Sequence, residues 1–226
     1  MRFIINIFAL LGFAVVAGGG YAYVTYKPLY DKYQPAMAQM KNIDIDAMMS
    51  MMENFDMNAM IKLKDELDPK APEVYQAMME RMAETKSAVE SMVWKVPVAE
   101  GVSREDVEEA MRFVANEHNI KNVGELPLSE QVKLMTGEKQ RYLQIFMFCN
   151  PLTAMKMVDY NDSFSAFLPC RVALIEDKQG KLWLYSMDMD MMIWGGATLP
   201  DDLLKEALQV RVIIKDIMAR GAAGEF

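Results

Sequence analysis

RYLQIFMFCNPLTAMKMVDYNDSFSAFLPCRVALIED, residues 141–177, decides how this chain folds. YLQIFMFC reads as a strongly apolar strand, and Asn150-Pro151 then starts a helix with proline in its first turn, where the missing N–H is not needed. Pro169-Cys170 closes that helical part and opens a second strand, CRVALIED. Across the turn residues KQG comes KLWLYSMDMD, so the last two segments pair as a hairpin. Each proline is architectural, ending strand pairing and setting the direction of the next element, and Asn150 is placed to cap the helix that begins at Pro151. Both cysteines of the chain lie in this stretch, Cys149 at the end of one strand and Cys170 at the start of another.

The flanking segments have the same mixed character. VWKVPV (93–98) reads as a strand. SREDVEEAMRFVANEHN (103–119) is a helix with Ser103 as N-cap, acidic residues in the first turn, and Val107, Met111 and Val114 on one face. IKNVGELP is a short second strand, and SEQVKLMTG a short helix closed by Gly137. PDDLLKEALQVRVIIKDIM (200–218) is the closing amphipathic helix, followed by a Gly-rich tail. The order βαβαβαββα predicts an α+β domain over residues 93–220, a small sheet with helices packed on it, with 221–226 as the tail.

Upstream the chain is different. Residues 3–26 carry no charged side chain over 24 positions, about 36 Å of helix, enough to cross a hydrocarbon core of about 30 Å. Tyr21, Tyr23 and Tyr26 gather at its far end as interfacial aromatics do. The apolar run continues past the small residues near Ala17, so it reads as a retained anchor (1–27) contacting membrane lipid, not a cleaved signal. For orientation two signals oppose each other: Lys27, Lys32 and Lys41 against Arg2 favour a cytoplasmic body, whereas the two-residue head before the apolar run is the layout of a signal-anchor that exports the downstream chain. Residues 28–92 then read as a Met-rich helical stalk or hairpin. Ile45, Met48, Met52, Phe55 and Ala59 form one stripe, DPKAP (68–72) interrupts, and Tyr75, Met78, Met82, Thr85, Val89 and Met92 form a second. Neither stripe stands alone, so the stalk needs a membrane-protein partner or a second copy of the chain.

Composition excludes several functions. With 24 Lys+Arg against 32 Asp+Glu and a formal charge of −8, there is no basic stripe for nucleic acid. The one histidine, His118, reads as a helix-end or solvent-facing side chain and rules out a His-rich metal site. No phosphate loop, Gly-x-Ser-x-Gly or histidine base beside a nucleophile is present, so no catalytic residue is assigned.

Of 23 methionines, twelve lie between residues 37 and 92. A second cluster, SMDMDMM (186–192), alternates Met with Asp. Read as strand, it puts Met187, Met189 and Met191 on one face, the arrangement of a candidate copper site, since thioethers suit Cu(I). Packing explains most methionines equally well. Asp188 and Asp190 would share the other face as a solvated pair, and WGGA (194–197) reads as a flexible turn with an exposed Trp. For Cys149 and Cys170 three readings stand: buried packing thiols, a disulfide closing a twenty-residue loop, or a redox or sulfur-relay pair. The CxxC spacing of zinc or thioredoxin-like sites is absent.

The stretch FCNPLTAMKMVDYNDSFSAFLPCRVALIEDKQGKLWLYSMD (148–188) resembles the bacterial family called domain of unknown function 302. The carriers are a strand ending in Cys-Asn-Pro, a helix, then Leu-Pro-Cys-Arg opening a hairpin. The match extends over residues 93–218 and leaves out the anchor and stalk. It implies a small α+β domain that tends to self-associate, and no reaction. Many members have Gly-Asn-Pro and Leu-Pro-Leu-Lys at these places, so the resemblance implies that the cysteines are not needed for folding. The expectation is a non-enzymatic, membrane-anchored accessory or assembly protein, in the bacterial inner membrane with a single pass and a periplasmic body. It would need no cofactor and would dock onto a larger membrane complex or onto itself. The alternative is a copper or sulfur carrier using Cys149, Cys170 and the Met clusters.

Overall fold

The computed structural model describes residues 27, 28, 62 and 65–226. The expected membrane anchor and most of the expected stalk lie outside them. Among the described residues no helix is long and apolar enough to cross a membrane. By internal contact the chain divides into two units, Met1–Ile61 and Lys62–Phe226, and every element below belongs to the second.

Five strands form one antiparallel sheet: β1 (Val93–Pro97), β2 (Lys121–Leu126), β3 (Leu143–Cys149), β4 (Cys170–Glu176) and β5 (Leu182–Met187). Their spatial order is β1-β5-β4-β3-β2. The expected β4–β5 hairpin is present, with Glu176 opposite Leu182 and its turn held by Asp177, whose carboxylate accepts from the Gln179 and Lys181 N–H groups at 2.9 Å. Strand β2 carries an irregularity between Asn122 and Gly124, where the register against β3 shifts.

Because strand side chains alternate, the register sorts the sheet residues into two sets. Phe146, Phe148, Val172, Leu174 and Leu184 face helices α3 (Arg104–Glu117) and α7 (Asp201–Ala223) and are fully buried. Ser103 caps α3 in a capping box with Asp106, and Val107, Met111 and Val114 line its buried face. Helix α7 runs beyond the expected stop at residue 218. Gly221 and Ala222 are still helical and buried, and Gly224 (φ +66°) ends the helix. At Gly221 the two helices approach so closely that a Cβ would sit 2.5 Å from Met111 Cγ. The tail is therefore shorter than 221–226.

Helix α4 (Leu128–Thr136) closes on left-handed Gly137, as expected. The second predicted stripe is not one helix. Helix α1 (Ala71–Thr85) starts with proline in its first turn and stops at Lys86, whose φ of 55° is left-handed. Ser87 then caps the short α2 (Ala88–Ser91). The inner face of α1, with Met78 and Met82 half-buried, is fastened to the compact domain. Tyr75 donates to the Gly195 carbonyl at 2.7 Å, Arg81 donates to the Ser91 carbonyl at 3.0 Å, and the Asp68 N–H bonds Gly196 at 2.8 Å. The expected boundary at 92 thus moves toward the amino terminus, and α1 is a domain helix docked on α6 (Asp190–Trp194), not part of a free stalk.

Candidate functional site

The two cysteines meet at one end of the sheet. β3 and β4 are antiparallel neighbours, with Phe148 paired to Cys170 and Cys149 one residue further on. Between them, α5 (Pro151–Tyr160) and a 3-10 turn (Asp162–Phe167) carry the chain away and back, and a cis Leu168–Pro169 peptide delivers it into β4. Asn150 caps α5 as its sequence predicts: its side-chain oxygen accepts from the N–H groups of Leu152 at 3.1 Å and Thr153 at 3.4 Å. Pro151 occupies the first turn. Helix α5 is tied to α7 by Glu206, which accepts from the Thr153 hydroxyl at 2.9 Å and also bonds Lys156.

Cys149 and Cys170 are free thiols, both half-buried, and they line one small cavity of about 40 Å³. Burial pushes both thiols above their ordinary pKa. Cys170 is pushed up to about 11, by burial first and by the neighbouring Cys149 second, with Arg171 opposing. At neutral pH both are therefore protonated, unlike the depressed-pKa thiol of a nucleophile.

The Met-Asp stretch is not a continuous strand. β5 ends at Met187, and Asp190 begins helix α6. Met187, Met189 and Met191 therefore do not share a strand face, which removes the geometric basis of the three-methionine copper site. Met189 turns into the thiol cavity, whereas Met187 and Met191 line a larger apolar groove of about 630 Å³ with Met92, Phe164 and Phe167. The cause is Asp188. It is buried, not solvated, and accepts from Arg81 Nη2 at 2.8 Å while its Oδ1 accepts from the Asp190 N–H at 2.9 Å. These bonds turn the chain off the sheet edge, as Asx turns do. Asp190 in turn holds Arg211 at 2.5 and 3.1 Å, and that guanidinium lies 5.7 Å from the Trp94 ring and 5.3 Å from Trp194. Trp194 is half-buried, and WGGA is a fastened turn, since the carbonyls of Gly195 and Gly196 anchor α1. His118 stands at the end of α3, as predicted, with Nε2 2.7 Å from Asp216.

The second face of the sheet is an apolar surface with no assigned role. Ile145, Ala173 and Tyr185 lie in one row across β3, β4 and β5, Leu143, Ile175 and Trp183 in the next. Each is half-buried, and none reaches the full burial of the helix-covered set. Arg171 and Lys95 stand exposed among them, Lys95 4.3 Å from the Trp183 ring centre and 5.5 Å from that of Tyr185. The sequence carries the signal for this face: apart from Gln144, YLQIFMFC is apolar at alternate and intervening positions alike. Met157 and Met192, which line the thiol cavity, carry no such signal, because helix packing alone brings them there.

A family model described as Domain of unknown function DUF302 matches residues 94–221. Among solved structures, "Crystal structure of uncharacterized conserved protein DUF302 from Bacillus stearothermophilus" is similar at 16% identity, covering 57% of this chain and 97% of that chain with a TM-score of 0.46. No curated protein matches the chain.

Proposed function

This chain belongs to the DUF302 family, and from that premise we propose that it is a non-enzymatic, membrane-anchored accessory protein that docks through the open face of its sheet. The partner is a subunit of a larger membrane assembly or a second copy of the chain. One observation carries the reading: the sheet is apolar on both faces, and α3 and α7 bury one fully, while the other is covered only in part, by α4 beside Leu143 and Ile175 and by Phe167 beside Ile145 and Ala173. Strands that are apolar on both sides are the pattern of sheets covered on both sides. A contiguous apolar face rimmed by charge is the ordinary form of a protein contact surface. Tyr185 and Trp183 supply the aromatic anchors that such surfaces favour, with Lys95 beside them on edge strand β1 and Arg171 on β4.

The uncharged run at residues 3–26 supports a single-pass anchor in the bacterial inner membrane, and its two-residue head favours a periplasmic body, against the count of Lys27, Lys32 and Lys41, which favours a cytoplasmic one. Replacing Gly12 by Arg puts a charge near the bilayer centre at about 2.5–3.5 kcal/mol, and the protein should leave the membrane fraction. Unchanged membrane extraction would assign retention to another segment.

The docking test is mass in mild detergent after extraction from native membranes at native expression. The full chain should migrate as a complex, and Ile145→Glu should release it as a monomer that keeps its fold by circular dichroism. A wild-type chain that is already monomeric ends the reading.

A further inference from the structure

The cavity between the two cysteines has a feature the docking reading does not use. Five of its lining residues carry sulfur: Cys149, Cys170, Met157, Met189 and Met192. The oxygen-bearing residues of the wall are already engaged. Asn150 Oδ1 accepts the two N–H groups at the start of α5, and the Thr153 hydroxyl donates to Glu206. Sulfur is therefore what the cavity offers to an occupant. At about 40 Å³ it has room for one ion and at most a water or two.

We propose that this cavity is a Cu(I) site, with the Cys149 and Cys170 sulfurs as primary ligands and thioether from the Met157, Met189 and Met192 set completing it. Soft thiolate and thioether donors suit Cu(I). Zinc sites draw four ligands from Cys, His and carboxylate, and no group of three or more His, Cys, Asp or Glu suited to a metal occurs among the described residues. Three of the five sulfurs come from different elements than the strands: α5 gives Met157, the turn after β5 gives Met189, and α6 gives Met192. An ion there would clamp α5 and α6 to the sheet end.

The chemistry balances without an oxidant. Copper enters as Cu(I) and stays Cu(I). Each thiol that ligates loses its proton to solvent, so two S–H bonds break, two Cu–S bonds form and two protons leave. Arg171, beside Cys170, is near enough to favour the thiolate charge that results. Because two protons leave for each ion bound, uptake should strengthen with pH, up to about tenfold per unit for each proton released.

The test uses the full chain, reduced and anaerobic, titrated with the tetrakis(acetonitrile) complex of Cu(I) against bathocuproine disulfonate. One equivalent should be held in competition with the chelator, and its absorption edge should report sulfur ligation. Cys149→Ser and Cys170→Ser should each weaken that equivalent at least 100-fold, and the pair Met189→Leu with Met192→Leu about tenfold. Met187→Leu with Met191→Leu, outside the cavity, should leave it unchanged. A measurement without substitutions guards against misfolded variants: one equivalent of Cu(I) should protect both cysteines of the wild-type chain from iodoacetamide. Copper binding that leaves both thiols as reactive as before, or binding lost instead with Met187 and Met191, overturns the proposal. So does a wild-type chain that holds no copper against the chelator.

Discussion

The two faces of this sheet are made from the same strands and differ in what covers them. On one, Phe146, Phe148, Val172, Leu174 and Leu184 are shut beneath α3 and α7 with no exposure at all. On the other, Ile145, Ala173, Tyr185 and Trp183 are equally able to bury but reach only half-burial. Burying apolar surface stabilises by about 25 cal/mol per Å², so the covered face holds the domain together. The open face leaves part of the same driving force unused, which makes it available for association. Stability and recognition are thus divided between alternate residues of single strands.

The comparison breaks most easily at Phe148. Phe148→Ala should lower stability by about 3–5 kcal/mol in chemical denaturation, whereas Ile145→Ala, on the opposite face of the same strand, should cost no more than about 1 kcal/mol. Equal losses would mean both faces are core. A second contrast is in the thiols. Cys170 shares the ladder pair of buried Phe148, and its folded pKa, about 11, lies above the ordinary thiol value. The resulting stability is fully present below the unfolded thiol pKa of about 8.5 and is lost as pH rises through the folded value. Denaturation of the reduced protein should therefore show a loss of about 2–3 kcal/mol between roughly pH 8.5 and 11, absent in Cys170→Ala. A pH-independent difference between the two proteins would contradict the burial.

Arg81→Met probes the edge where α1 meets the sheet. It leaves the Asp188 carboxylate, whose side chain is 2% exposed, without its cation. Arg81 itself is 38% exposed, so solvent screens the pair from one side, and the expected loss is about 1–3 kcal/mol, not the larger figure for a fully buried pair. The smallest effect is at Asn150. Asn150→Ala removes an acceptor for two helix-end N–H groups and should cost about 1 kcal/mol, with Asn150→Asp restoring most of it.

What was legible in the sequence is what is local. Ser103 with Asp106, Gly137, Asn150-Pro151 and the hairpin across residues 177–181 act through bonds within a few residues, so their types specify their geometry. The turn at Asp188 was not legible, because an alternating Met-Asp pattern suits a strand until Arg81, 107 residues away, fixes the carboxylate. Nor was the docking of α1, whose break at Lys86 has a left-handed lysine where the sequence shows no glycine. The thiol cavity was half legible: neighbouring strands at one sheet end could be inferred for the cysteines, but Met157 and Met192 arrive by helix packing. Which face of an all-apolar strand the helices cover is likewise a tertiary outcome. Composition alone does not choose it.

The central claim is that the open face is a contact surface. Its most direct measurement places a photo-crosslinking amino acid at position 185 on that face, and in a parallel chain at position 212, where Val212 is 59% exposed on α7. Both full-length chains are then irradiated in native membranes. The account predicts a discrete higher-mass adduct from position 185 and none from position 212. No adduct at 185, or equal adducts at both positions, would contradict it.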